Sequence, residues 1–352
     1  MPIQRERLVE LFDRVKGKRI LVIGDAMLDV YLTGDVERIS PEAPVPVVRV
    51  RERKNALGGA ANVAQNVVAV GADCELVAAV GRDAGGQTLR LLAQSMHVDA
   101  ESVILVERPT TMKTRIVARS QQLVRVDEEE DHDFAREDVV RLKQAISRSI
   151  ARSDAIILED YDKGVLSSDV IRYVMELASG RGIPVVVDPK YRHFFEYSGA
   201  TIFKPNVREL ESALGAGMNL HDPSTLLGMV RRLGVQYLLL TLGERGMALY
   251  SAEGEIARVP THAREVYDVV GAGDTVTAYL ASMLAAGATV PEAAIVSNIA
   301  AGIEVGKLGA ATVSAAEILA FAAEHTGPES LAPNRMVQRV LGEQQRSVED
   351  SR

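Results

Sequence analysis

The residues best suited to chemistry lie late in the chain, in Glu265-Val-Tyr-Asp-Val-Val-Gly-Ala-Gly-Asp-Thr-Val276, followed at once by a run of small and apolar residues from Thr277 to Ala286 that reads as a helix. Three consecutive small residues, Gly271, Ala272 and Gly273, let the backbone turn so that successive N–H groups point into one anion-accepting concavity. The helix adds its positive end at the same spot. Phosphoryl transfer asks little more of a protein than positioning and stabilisation of spreading negative charge. Asp274, in the first turn, can take the proton of an attacking hydroxyl while the neighbouring amides hold the transferring group. An Asp that merely caps the helix is the plainer alternative.

Two other glycine motifs fail. A dinucleotide fingerprint would need Gly where Val276 stands and would follow the first strand. A Walker loop needs Gly-Lys-Ser/Thr, whereas Gly17-Lys18 is followed by Arg19 and Gly306-Lys307 by Leu308.

The elements that must position this loop follow a βαβ rhythm. Arg19–Gly24 reads as a buried first strand, which would put Asp29 just beyond the carboxyl edge of the sheet, where open α/β sheets bind ligands. Asp25 reads as a turn carboxylate. Gly58-Gly-Ala-Ala-Asn62 opens a helix whose paired glycines admit a ligand to the backbone and whose Asn62 can hydrogen-bond it. Further strands are expected at Glu75–Val80, Ser102–Val106, Ala155–Leu158, Pro184–Asp188, Thr201–Phe203 and Tyr237–Thr241, and shorter ones at Met247–Tyr250 and Glu255–Val259. Helices are expected at Gln87–Met96, through Leu142, Ile146 and Ile150, and at Ser168–Gly180. The later strands deliver Glu159-Asp160-Tyr-Asp-Lys163, Asp188-Pro-Lys190, Lys204-Pro-Asn206 and Thr241-Leu-Gly243 at their carboxyl ends. Asn206 and Glu209 have capping-box spacing, as have Thr289 with Glu292 and Ser314 with Glu317. A functional reading of Glu209 puts it near a magnesium-bound water.

The rhythm breaks twice. Ser40-Pro-Glu-Ala-Pro-Val-Pro46 is too proline-rich for a central strand, and Thr111 to Asp127 alternates, with Lys113, Arg115, Val117 and Arg119 on one face, in a hairpin turning near Ser120. The two breaks, roughly residues 32–55 and 108–128, predict a small β-sheet lid whose basic face could meet a phosphorylated substrate. Solvated edge-strand charges are the alternative. The six carboxylates within Asp127–Asp133 read as a solvated loop without chemistry. Residues 1–327 are expected to form the domain and 328–352 a mobile tail.

The 352-residue chain has 47% hydrophobic and 25% charged residues, as an ordinary globular protein does. Its net charge of −8 and pI near 5.4 argue against a nucleic-acid or anionic-membrane partner. One cysteine, Cys74, excludes an internal disulfide, and His97, His132, His193, His221, His262 and His325 lack a zinc-ligand spacing. With no apolar run long enough to span a bilayer, a cytoplasmic location is expected.

Gly58-Gly-Ala-Ala-Asn62 and Gly271-Ala-Gly-Asp274 together resemble the two signatures of the ribokinase-like (PfkB) family of sugar kinases, over about residues 10–325. Within that family the chain looks most like the kinases of D-glycero-β-D-manno-heptose 7-phosphate, which serve ADP-heptose and lipopolysaccharide inner-core synthesis. The stretches that carry this likeness include Gly24-Asp-Ala-Met-Leu-Asp29, Arg38-Ile-Ser-Pro-Glu-Ala-Pro-Val-Pro-Val47, Ser120-Gln-Gln-Leu123, Asp160-Tyr-Asp-Lys-Gly164, Glu265-Val-Tyr-Asp268 and Val305-Gly-Lys-Leu-Gly309.

The resemblance implies a three-layer α/β/α sandwich with a mostly parallel sheet, and ATP-dependent phosphorylation of the anomeric hydroxyl to the 1,7-bisphosphate. Asp274 would be the base and Gly271, Ala272 and Gly273 the anion hole. Asp29, Gly58, Gly59 and Asn62 would hold sugar hydroxyls. Asn206, Glu209, Thr241, Gly243 and Asn298 would line the ATP site, with Glu209 near Mg2+. Charge and expected position nominate Lys113, Arg115, Arg119, Lys163 and Lys190 for the 7-phosphate. Val270 stands where the family usually has Thr, which bears on any monovalent-cation site there. The short tail leaves no room for the nucleotidyl-transferring domain of many relatives, so a separate adenylyltransferase is expected, and the lid edges suggest a homodimer. Rival readings are a kinase of fructose 6-phosphate, fructose or ribose, and a non-catalytic ligand-binding protein.

Overall fold

The computed structural model describes residues 3–119, 121–215, 223–261, 269–307 and 311–325. Ser120, His221, His262, Glu265–Asp268, Gly309 and the expected tail lie outside them.

Alternation along the strands builds two cores. In β1 (Arg19–Gly24), Ile20 and Val22 enter one apolar cluster while Leu21 and Ile23 enter the other. Each such fully buried side chain contributes about 1.5–3 kcal/mol. The chain continues through β2 (Ala26–Ile39), β3 (Pro46–Gly59), β4 (Asp73–Val77), β5 (Ala79–Gly81), β6 (Ile104–Val106), β7 (Met112–Ala118), β8 (Gln121–Glu128), β9 (Ala155–Glu159), β10 (Val185–Asp188), β11 (Ile202–Phe203), β12 (Tyr237–Thr241), β13 (Met247–Ser251) and β14 (Gly254–Val259). The main sheet has the order β14-β13-β12-β11-β10-β9-β1-β4, parallel from β4 to β12 and antiparallel at β13 and β14.

Helices α1 (Arg5–Val15), α2 (Ala60–Val70) and α3 (Ala84–Ser95) contribute to one core. Helices α4 (Arg136–Ile150), α5 (Ser168–Ser179), α6 (Val207–Leu214) and α7 (Pro223–Leu233) cover the other face of the sheet. Helices α8 (Ala272–Ala285), α9 (Val290–Glu304) and α10 (Ala315–His325) return to the first. Helix α8 is buried almost all round, as its run of small residues requires of a helix packed between α2, α9 and the sheet.

Strands β3-β2-β7-β8 form a second, four-stranded sheet. This sheet is the lid, and its first segment is wider than residues 32–55, because the chain turns straight out of β1 at Asp25 into β2. Asp29 therefore sits inside a lid strand, paired with Ala56 and Lys113, and not in a loop beyond the main sheet. Likewise Glu75–Val80 is not one strand: β4 is an edge of the main sheet, and beyond Val77 the chain peels away so that β5 pairs with β6.

Candidate active site

Gly271 adopts φ +97 at the N-cap of α8, a left-handed conformation open to glycine, and no side chain caps the helix there. The amides of Gly273 and Asp274, in the first turn, have no intrahelical acceptor and face the mouth of the helix. Asp274 itself is buried, 7% exposed. Its Oδ2 accepts from Asn62 Nδ2 at 2.6 Å and its Oδ1 from the Tyr161 hydroxyl at 3.0 Å. Asn62 lies in the first turn of α2, which the Thr275 hydroxyl ties to α8 through Asn66 Oδ1 at 3.2 Å. Burial raises the Asp274 carboxyl from 3.8 to about 6, with the Asp188 charge adding to the rise and the Asn62 and Tyr161 hydrogen bonds opposing it. A base near 6 is ionised at neutral pH and still accepts a proton readily.

Beneath the loop, the carboxyl ends of three parallel strands converge. Oxygens of Glu159, Asp188 and Asp274 lie within 4.8 Å of one another. Lys204, 3% exposed, pairs through Nζ with Asp188 Oδ2 at 2.7 Å. A Cβ at Gly273 would lie 3.7 Å from Lys204 Nζ and 3.9 Å from Asp188 Oδ2, so the pair lies close to the start of α8. Burial pulls Lys204 down, but Asp188 and Glu159 outweigh it, and the ammonium stays charged. Burial, then the Asp188 and Asp274 charges, push Glu159 well above the carboxylate range; neither of its oxygens meets a donor. The buried ammonium thus holds the Asp188 charge, while crowding and burial favour the neutral form of Glu159.

The expected substrate residues are brought together in part. Gly58 leaves room for the Asp29 carboxylate, which pairs with Arg115 of β7. Lys113 and Lys163 converge on Glu129, at 3.3 and 3.0 Å. Lys190 turns elsewhere, to Glu209 Oε1 at 2.7 Å and over the Tyr161 ring at 5.7 Å. Arg119 is exposed at the end of β7, four residues beyond Arg115. Gly59 is buried as the N-cap of α2.

Of the residues expected to line an ATP site, Asn206 and Glu209 form the expected capping box, with Glu209 Oε2 accepting the Asn206 N–H at 2.9 Å. Thr241 bridges to Asn206, Gly243 opens a short 3-10 turn after it, and Asn298 of α9 donates to the Pro260 carbonyl at 2.8 Å.

Sequence reasoning missed Tyr161, Lys204 and the support given by Asp25. Asp25, 3% exposed, accepts the backbone N–H groups of Tyr161, Lys163 and Val165 at 2.9, 3.0 and 3.0 Å. A turn carboxylate thus shapes the loop that carries both Tyr161 and Lys163. The available signal was the cluster Glu159–Lys163 at a strand end, which did not show which side chain reaches Asp274.

No helix among the described residues is long and apolar enough to cross a membrane. Two curated proteins named "Bifunctional protein HldE" are each 43% identical. The one from Pelobacter propionicus aligns over 98% of this chain and 72% of its own length, and the one from Rhodospirillum rubrum over 89% and 64%. Among solved structures, Arabidopsis thaliana ribokinase complexed with ribose and ATP superposes with a TM-score of 0.67 at 20% identity, covering 87% of this chain and 98% of its own. Escherichia coli phosphofructokinase-2 in complex with potassium does so with 0.70 at 18%, covering 87% and 99%. These share the ribokinase-like fold. Residues 18–317 match the pfkB family of carbohydrate kinases, and with that match over most of its length the chain belongs to this family and is a sugar kinase.

Proposed function

We propose that the protein transfers the γ-phosphoryl group of ATP to the anomeric hydroxyl of D-glycero-β-D-manno-heptose 7-phosphate. The observation that carries a kinase reading of this site is Asp274, held by Asn62 and Tyr161 beside the open amides of α8. The anomeric oxygen attacks phosphorus as its proton passes to the Asp274 carboxylate; the bond to the β-phosphate oxygen breaks and ADP leaves. The turn Gly271-Ala272-Gly273, through the open amides of Gly273 and Asp274, holds the charge spreading over the equatorial oxygens, with Lys204 close by. Asp29, Gly58, Gly59 and Asn62 orient the sugar. Support for a phosphorylated sugar comes from the lysine pair Lys113 and Lys163, and the likeness to HldE proteins favours heptose over fructose 6-phosphate or ribose. Arg115 and Arg119 remain candidates for the same phosphate, whereas Lys190, paired with Glu209, does not join them.

ATP would lie along Asn206, Thr241, Gly243 and Asn298. Mg2+ would accompany it, neutralising phosphate charge. Asp188 and Glu159, the latter with both buried oxygens unpartnered, are oxygen donors of the hard type that suits this ion, and Glu209 would reach it through water. We place the reaction in the cytoplasm; the relatives this chain matches are named bifunctional, which does not support the expected adenylyltransferase on a separate chain. Exposed Val45, Val50, Leu123, Val124 and Val126 on the lid support a homodimer closed there, which light scattering would test.

The deciding experiment is ADP release with heptose 7-phosphate, fructose 6-phosphate and ribose in parallel. The proposal expects the highest kcat/KM with the heptose; a higher value with either other sugar overturns it.

A further inference from the structure

The acidic run that begins at the end of β8, to which sequence reading gives no chemistry, reaches two of the expected substrate lysines. Glu129 Oε1 lies 3.0 Å from Lys163 Nζ, and Oε2 lies 3.3 Å from Lys113 Nζ. One carboxylate thus bridges cations from two separate elements, the lid strand β7 and the loop after β9. The lysine side chains are 19% and 14% exposed, well covered for surface ion-pair partners. Both belong to elements that also carry residues proposed for the sugar site. Lys113 is the cross-strand neighbour of Asp29. Lys163 is two residues from Tyr161, whose hydroxyl meets Asp274, so at most about 7 Å separates the backbones of Tyr161 and Lys163.

The Lys163 backbone is fixed without Glu129's help. Its N–H is held by Asp25 at 3.0 Å, and its carbonyl accepts from Arg108, which also donates to the His132 carbonyl at 2.8 Å. Glu129 follows the last residue of β8 and its side chain is 30% exposed, so it can swing out to water without disturbing the sheet. A phosphate monoester carries up to two charges and three strong acceptor oxygens against one charge and two oxygens for the carboxylate, and it satisfies two ammonium groups better.

We propose that Glu129 is an internal stand-in for the substrate's phosphate: it occupies the Lys113–Lys163 pair before the sugar binds and is displaced by the phosphate of a phosphorylated sugar. This rests on the sugar-phosphate kinase reading and adds a specificity device to it. An unphosphorylated sugar has nothing with which to displace Glu129. The carboxylate therefore withholds the cation pair from weak anions and gives it up to a dianion.

The test titrates inorganic phosphate by calorimetry into the full chain, with the nucleotide site filled by a non-hydrolysable ATP analogue. Glu129→Gln should tighten phosphate binding, and lower the KM for sugar phosphate, by about fivefold at low salt, the gain shrinking as added salt screens the charges. Glu128→Gln removes the same charge one residue away and should change phosphate affinity less than about twofold. Adding Lys163→Ala to Glu129→Gln should abolish the gain. The proposal is overturned if Glu129→Gln leaves phosphate binding unchanged or weaker, or if Glu128→Gln gives an equal gain, which would make the effect one of general field. Failure of the kinase reading shows separately, as absent ADP release with sugar phosphates, while the phosphate titration still reports on Glu129.

Discussion

Replacing Asp274 by Asn should separate turnover from stability in opposite directions. The folded protein raises this carboxyl from 3.8 to about 6, chiefly by burial, so holding it ionised costs about 3 kcal/mol at 1.36 kcal/mol per pH unit. The sign follows from proton binding. Between those two values the folded chain holds more protons than the unfolded one, so the wild type loses stability as pH rises through about 6 and loses no more above it. The substituted amide has no charge to bury. It has one acceptor oxygen where the carboxylate accepts from both Asn62 and Tyr161, so one hydrogen bond is lost, at about 1 kcal/mol. The net expectation is a gain of about 2 kcal/mol near pH 8, seen as about 2–4 °C in Tm, falling to about zero near pH 4.5. Turnover should fall by at least about 1,000-fold, since base and local field change together. The assay is thermal unfolding of both proteins at the two pH values, beside coupled ADP release. A Tm difference independent of pH, or turnover within about tenfold of wild type, would refute the assignment of Asp274 as a buried, charge-bearing base.

Tyr161→Phe removes one of the hydrogen bonds that hold Asp274 down, so the acid limb of kcat/KM, expected near pH 6, should move up by about half to one pH unit; an unmoved limb would show that the hydroxyl does not tune the base. Lys204→Met leaves Asp188 buried without its partner and should cost about 3 kcal/mol, partly recovered by adding Asp188→Asn; chemical denaturation would decide, and a loss below about 1 kcal/mol in the single variant would mean the pair does not compensate. Asp25→Ala orphans three backbone N–H groups and should lower Tm while raising KM for the sugar, because the loop carrying Tyr161 and Lys163 loosens; if both parameters held, Asp25 would not be shaping that loop.

What could be read from the chain alone, and what could not, divides along sequence separation. Strands and capping boxes obey local rules of period and spacing, so β9, β10 and the Asn206–Glu209 box are visible in a window of a few residues. Gly271–Asp274 is legible for the same reason: its donors belong to one turn and one helix start. The partners of Asp274 stand 212 and 113 residues away, at Asn62 and Tyr161, and only the order of strands in the sheet decides that they meet. Asp29 was displaced from its expected loop because alternation cannot reveal that the turn after β1 leads directly into another sheet. The acidic run 127–133 shows the limit most plainly. Its composition is that of a solvated loop, and residues in it are exposed, yet one of them closes a pair of lysines drawn from two elements. Charge runs are therefore best judged by what the sheet order sets opposite them. Here a carboxylate facing two cations has a chemical consequence that the same carboxylate facing water would lack.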